Sequence, residues 1–286
     1  MSALPTVKCD SEVIMTANVA LGVTPALALA KSQLRARMKQ KLKSLPAARV
    51  ASQSAAIYSA LTGFQPYIDA HRVAIFLSMP ATEVQTDAIV RHALSAGKDV
   101  FVPYLHKPAT TATADGYIPS RVMDMVQLQD VADYESLTPD RWGIPSVSAD
   151  SLGSRCRVLG DGKESSGQTL EEKQQQKGKS LAASTLDLIL MPGVAFDVDP
   201  STRRIHRCGH GRGFYDYFLH RYALKMTDIG QAPAAPVRLY GLAFTEQVEP
   251  AHSIPTGPHD QPLDGLITGD GMIIIPELET KESKIN

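Results

Sequence analysis

Two short apolar runs, RVAIFLSM at 72–79 and DVFVPYL at 99–105, bracket the stretch ATEVQTDAIVRHALSAG at 81–97. Both runs are rich in β-branched and aromatic residues, the composition of buried strands. The stretch between them reads as a helix. Thr82 with Gln85 three residues later is the pattern of a capping box, and Gly97 stands where a helix stops. Strand, helix and strand with short links make a βαβ unit, whose two strands lie parallel. This unit predicts an α/β fold: a single domain with a mostly parallel central sheet flanked by helices on both faces.

The rest of the chain fits that frame. In LALAKSQLRARMKQKLKSL, 27–45, Leu27, Leu34, Met38, Leu42 and Leu45 recur at helical spacing, and six basic residues (Lys31, Arg35, Arg37, Lys39, Lys41, Lys43) stand without an acid. A second helix is expected from Pro46 to about Leu61. VMDMVQL at 122–128 reads as a strand, followed by a loop around Trp142. LDLILMPGVAF, 186–196, is the strongest buried-strand run, and RLYGLAF (238–244) and LDGLITGDGMIII (263–275) supply the last strands. At least five strands are expected. Residues 151–184 are poor in apolar residues and rich in Gly, Ser, Gln and Lys, so a disordered or surface insertion is expected there. Residues 1–25 read as a loose extension, 26–275 as the domain and 276–286 as a tail.

Composition removes several classes of function. The net charge of −1 gives no global reason to expect nucleic acid or an anionic membrane as partner. No run of apolar residues is long enough to span a bilayer. The three cysteines, Cys9, Cys156 and Cys208, are widely spaced with no CxxC, which suits a reducing compartment and argues against a disulfide framework. The amino-terminal stretch carries Asp10 and Glu12 and few basic residues, unlike a secretory signal. A cytoplasmic monomer is expected, with a mitochondrial location as the alternative.

Chemistry concentrates in CGHGRGFYDYF, 208–218. Gly209, Gly211 and Gly213 have no Cβ and can take positive φ, so the backbone can turn its N–H groups toward one point. A helix is expected to open near Phe214, and its first N–H groups and dipole attract an anion. Arg207, Arg212 and His210 bring side chains to the same loop, and an arginine's planar fork matches two phosphate oxygens. Asp216 would repel a bare phosphate, but not a phosphate carrying Mg²⁺. The run therefore reads as a cradle for a metal–nucleotide complex. Structural readings stand beside this one: an acid in a first helical turn is stabilising by itself, and Phe218 has the spacing of a core residue. The patterns GxxxxGK[ST] and GxGxxG are both absent.

LDLILMPGVAFD followed by RCGHGRGFYD resembles the signature of the 5-formyltetrahydrofolate cyclo-ligase (methenyltetrahydrofolate synthetase) family. KSQLR at 31–35, FLSM with EVQT across 76–86, MDMV at 123–126 and WGIP at 142–145 match it in order. The resemblance implies ATP- and Mg²⁺-dependent closure of 5-formyltetrahydrofolate to 5,10-methenyltetrahydrofolate with release of ADP and phosphate. It also implies site residues. Lys31 and Arg35, four apart on one helix face, match an ATP-binding segment. Arg207, Gly209, His210, Gly211, Arg212, Gly213, Phe214 and Tyr215 match the phosphate loop, with 210–214 also reaching the folate. Leu77 and Glu83 match folate-contacting positions, the first as apolar wall, the second as acceptor for pterin N–H groups. Asp216 and Asp260 match metal-associated aspartates, with Asp264 a competitor for the second.

The chain departs from the family pattern at His210 (Arg in the pattern), Arg212 (often Lys), Cys208 (Leu) and Phe214 (Tyr). A histidine is shorter than arginine and lacks its fixed charge. The alternatives are a catalytically weakened folate- or nucleotide-binding relative and a sugar-phosphate or coenzyme A-type enzyme on a similar sheet.

Overall fold

The computed structural model describes residues 24–108, 120–160, 185–228 and 236–276. The helices are α1 (Pro25–Lys43), α2 (Ala47–Thr62), α3 (Gln65–Asp69), α4 (Asp87–Ser95), α5 (Val131–Glu135) and α6 (Phe214–Asp228). The strands are β1 (Arg72–Ile75), β2 (Asp99–His106), β3 (Val122–Leu128), β4 (Thr138–Pro139), β5 (Pro145–Ser146), β6 (Leu188–Met191), β7 (Ala195–Val198), β8 (Ile205–Cys208), β9 (Arg238–Ala243), β10 (Gly265–Thr268) and β11 (Ile273–Ile274). Seven of them form the central sheet, in the order β11-β10-β9-β6-β1-β2-β3. The five inner strands are parallel and the two edge strands, β11 and β3, antiparallel. The βαβ unit of β1, α4 and β2 is present as expected.

Side chains alternate between the two faces of the sheet. Val73, Ile75, Val100, Val102, Leu188, Leu190 and Leu242 face one core, shared with Ile57, Leu61, Tyr67 and Ile89 of the helices. Ala74, Phe101, Ile189, Met191, Leu239 and Leu266 face the other, where Phe218, Tyr222 and Met226 of α6 pack. A third, smaller cluster joins Leu34 and Met38 of α1 to Ala195, Cys208 and Ile254, and so fastens α1 to the β7–β8 hairpin.

Several boundaries differ from those expected, for local reasons. The helix expected over 81–97 starts only at Asp87. Ala81 has a φ of 64°, the Thr86 hydroxyl donates to the Phe76 carbonyl, and the Gln85 amide donates to the Met79 and Glu83 carbonyls. These side chains tie a turn instead of closing a capping box. The run 186–196 is two strands, not one. Pro192 has no N–H for a sheet ladder, and Gly193 lies so close to Phe196 that a Cβ would come within 2.4 Å of its ring. The chain leaves the sheet there and forms the β7–β8 hairpin. The run 263–275 is likewise a hairpin, turning at Gly271 with φ 81°. Helix α1 begins at Pro25 because Thr24 caps it, accepting from the Leu27 N–H.

Residues 151–160 belong to the fold and not to an insertion. Val158 is fully buried. The buried Asp124 carboxylate accepts from the backbone N–H groups of Leu159 and Gly160 and from Arg157. Arg155 makes a two-pronged ion pair with Asp133. The remainder of the expected insertion, 161–184, lies outside the described residues, as do 1–23 and 277–286. Among the described residues no helix is long and apolar enough to cross a membrane.

Two outcomes are expected. Phe101→Ala empties a fully buried ring site and should lower unfolding free energy by about 3–5 kcal/mol, seen as a lower urea midpoint with the same slope. The hydrogen bonds from Arg155 hold the Asp133 carboxyl below its usual range. Its contribution to stability is therefore present above the unfolded carboxylate pKa and lost as pH falls through the lower folded one. The stability gap between wild type and Asp133→Asn should shrink as the pH is taken below about 4.

Candidate active site

The chain order places the site. From β1 the chain crosses over to β2 on one side, and from β6 it passes to β9 and β10 on the other. Such a switch point leaves a crevice beyond the carboxyl ends of the two strands. Residues 76–86 emerge from β1, and Pro192 with the β7–β8 hairpin emerges from β6. The glycine run follows β8, so it is returned to the same edge.

Helix α1 turns Leu34, Met38 and Leu42 inward, which leaves Lys31 and Arg35 on a face toward that crevice. The Arg35 Nε donates to the Gly209 carbonyl at 2.8 Å. Its guanidinium lies along Gly211, where a Cβ would be 3.1 Å from Arg35 Cζ. Lys31 Nζ donates to both oxygens of Asp260, at 2.7 and 2.5 Å. Asp260 in turn accepts from the Gly257 N–H. The two basic residues thus meet the glycine loop and the 257–260 loop.

Positive φ is found at Gly211 (95°) and Gly213 (65°), whereas Gly209 does not need it. The Gly213 carbonyl accepts from the Tyr217 N–H at 3.0 Å, the first bond of α6, which opens at Phe214 as expected. Behind the loop, Arg207 is almost buried. It donates to the Pro192 carbonyl and to Asp216 Oδ1, both at 3.2 Å, and lies over the Tyr215 ring at 5.5 Å. Arg207 Nε and the Tyr215 hydroxyl are buried without a hydrogen-bond partner among the described residues. Burial pushes the Tyr215 phenol far up, the Arg207 charge opposing and Glu83 adding to it, so it stays a neutral donor. Arg212 is exposed and makes no ion pair among the described residues.

Glu83 is buried. One carboxylate oxygen accepts from the Met79 N–H at 2.8 Å, and the other lies 2.9 Å from His210 Nε2. The loop after β1 and the glycine loop therefore touch through Glu83 and His210, two residues that the resemblance assigns to the folate, the histidine also to the phosphate loop. Leu77, also buried, lines an adjoining groove of about 190 Å³ with Ser78, Pro80, Gln85, Asp87, Tyr134 and Pro145. Gly143 closes its rim with a φ of 79°, and a Cβ there would be 3.0 Å from Pro80. Tyr134 and Asp87 went unnoticed in the sequence. The Tyr134 hydroxyl donates to Asp87, and burial first, then Asp87, pushes the phenol up to about 12. No sequence signal separates Asp87 from any acid at a helix start.

The proposed metal residues do not form a cage. Asp216 is paired with Arg207 and Asp260 with Lys31. Among the described residues no group of three or more His, Cys, Asp or Glu is arranged to hold a metal.

The sequence matches the 5-formyltetrahydrofolate cyclo-ligase family over residues 28–269. The chain belongs to this family. It is 28% identical to a protein of Schizosaccharomyces pombe named probable 5-formyltetrahydrofolate cyclo-ligase, over 86% of this chain and 98% of the relative. It is 30% identical to the 5-formyltetrahydrofolate cyclo-ligase of Saccharomyces cerevisiae, over 85% of this chain and 97% of the relative. The fold resembles the NMR structure of the Aquifex aeolicus 5,10-methenyltetrahydrofolate synthetase, with a TM-score of 0.54 and 20% identity, over 89% of this chain and 98% of that one. As a member of the cyclo-ligase family, the chain carries every residue of the crevice from Lys31 to Asp260 within the matched region.

A double-mutant cycle tests the contact between α1 and the loop. Gly211→Ala places a methyl against the Arg35 guanidinium and forces a left-handed backbone on alanine, which should cost about 1–2 kcal/mol for the backbone alone plus the steric cost. In an Arg35→Ala background only the backbone part should remain, so urea unfolding should show non-additivity.

Proposed function

We propose that the protein catalyses the ATP-driven cyclisation of 5-formyltetrahydrofolate to 5,10-methenyltetrahydrofolate. The observation that carries this reading is the meeting of three elements at the switch point: the Gly211–Gly213 loop opening α6, the basic face of α1, and the buried Glu83 beside the groove that Leu77 lines. An anion cradle next to a recessed acceptor suits a reaction that joins a triphosphate to a heterocycle rich in N–H donors.

The chemistry explains why both are needed. A formyl oxygen on nitrogen is a poor leaving group. Its attack on the γ-phosphorus breaks the bond to the bridging oxygen and releases ADP. N10 of the folate then attacks the formyl carbon, the C–O bond to phosphate breaks, and loss of the N10 proton leaves the methenyl cation, with inorganic phosphate as the other product. The protein's task is alignment and charge neutralisation. In this reading Lys31, Arg35, Arg207 and Arg212, with the loop's N–H groups, hold the triphosphate. Glu83 accepts from the pterin, and Leu77 supplies apolar wall. The Tyr215 hydroxyl and Arg207 Nε, buried and without a partner among the described residues, are donors ready for ligand oxygens.

Mg²⁺ fits as an ion carried on the nucleotide. Asp216 and Asp260 remain partly exposed beside their cations (29% and 24%), and Mg²⁺ commonly takes only one or two carboxylates together with phosphates and water. When bound it neutralises charge on the β- and γ-phosphates. A reducing compartment accords with the odd cysteine count and absence of CxxC.

The test is to mix protein, 5-formyltetrahydrofolate and Mg-ATP and follow the near-ultraviolet absorbance of the methenyl product; no product from folded protein would sink the reading. Arg212→Ala should leave the fold intact and lower kcat/KM for ATP by about tenfold to a hundredfold, the range for a lost charge-assisted hydrogen bond.

A further inference from the structure

We infer that His210 masks the folate acceptor Glu83 until nucleotide arrives, so that the two substrates bind with positive coupling; the inference rests on the cyclo-ligase reading. Glu83 retains 9% exposure of its side chain, and His210, half-exposed, stands against it. With the ring proton on Nε2, His210 donates to Glu83 Oε1 at 2.9 Å. The other oxygen is already held by the Met79 N–H. A pterin that is to donate to Oε1 must therefore compete with the imidazole.

The histidine can move. It sits between Gly209 and Gly211 in an exposed loop that Arg35 holds at the Gly209 carbonyl and that is flanked by the left-handed glycines 211 and 213. It is also the loop's inner donor, two residues from Arg212 on the same segment. A triphosphate in the cradle offers this donor a second anion. Turning to that anion frees Oε1, and folate bound to Oε1 in turn releases the histidine to the phosphate. By linkage the two affinities must rise by the same factor.

The experiment is calorimetry of 5-formyltetrahydrofolate binding, with and without saturating β,γ-methylene-ATP and Mg²⁺, on wild type, His210→Ala and His210→Asn. In the wild type the nucleotide analogue is expected to tighten folate binding by about fivefold to tenfold, on the scale of one partly solvated charge-assisted hydrogen bond. His210→Ala should bind folate more tightly than wild type without nucleotide and show no further gain with it. His210→Asn, whose amide can still donate, should regain part of the coupling. A merely structural role would weaken binding in both conditions alike. Equal coupling in wild type and His210→Ala, or unchanged folate affinity without nucleotide, overturns the masking and leaves the cyclo-ligase reading standing. Failure of the wild type to bind either substrate overturns both.

Discussion

The divergence of the chain at β1 and β6 is the constraint from which the site follows. Two adjacent parallel strands whose onward connections leave in opposite directions cannot cover their own carboxyl ends. The loops that emerge there must find partners across the gap. The loop after β1 brings Leu77 and Glu83, and the hairpin after β6 brings Arg207 and then the glycine run. Helix α1, distant in sequence, closes the remaining side, fastened by the small cluster of Leu34, Met38, Ala195, Cys208 and Ile254.

Three carboxylates of the crevice are partnered within the protein. Lys31 holds Asp260, Arg207 holds Asp216, and His210 holds Glu83. Such pairs position side chains at modest net gain when partly exposed. Arg37 and Lys41 play a different part, joining Glu249 on the outer face. The basic helix read from sequence is thus divided: one face serves the crevice, another ties down the 249 loop.

Much of this was legible because it is local. The βαβ unit, the strand at 188–191, the opening of α6 at Phe214 and the stop at Gly97 all follow from composition and periodicity within short windows. The errors were local too, but they arose where a side chain competed with the backbone or a neighbour forced a bend. Thr86 and Gln85 drew the segment before α4 into a turn, and Pro192 with Gly193 split a run that reads as one strand. Residues 151–160 look polar and loose, yet Asp124, far away in β3, organises them through its buried carboxylate. No pattern within that segment announces such a partner.

Sequence alone determined which residue types could cradle an anion, because glycine, arginine and carboxylate chemistry is carried by identity and by spacing along the chain. Only the tertiary structure decided which of them meet. Glu83 and His210 are joined across 127 positions, and Lys31 and Asp260 across 229. Contacts of that span are set by strand order and by the packing of α1, and short-range periodicity holds no information about either.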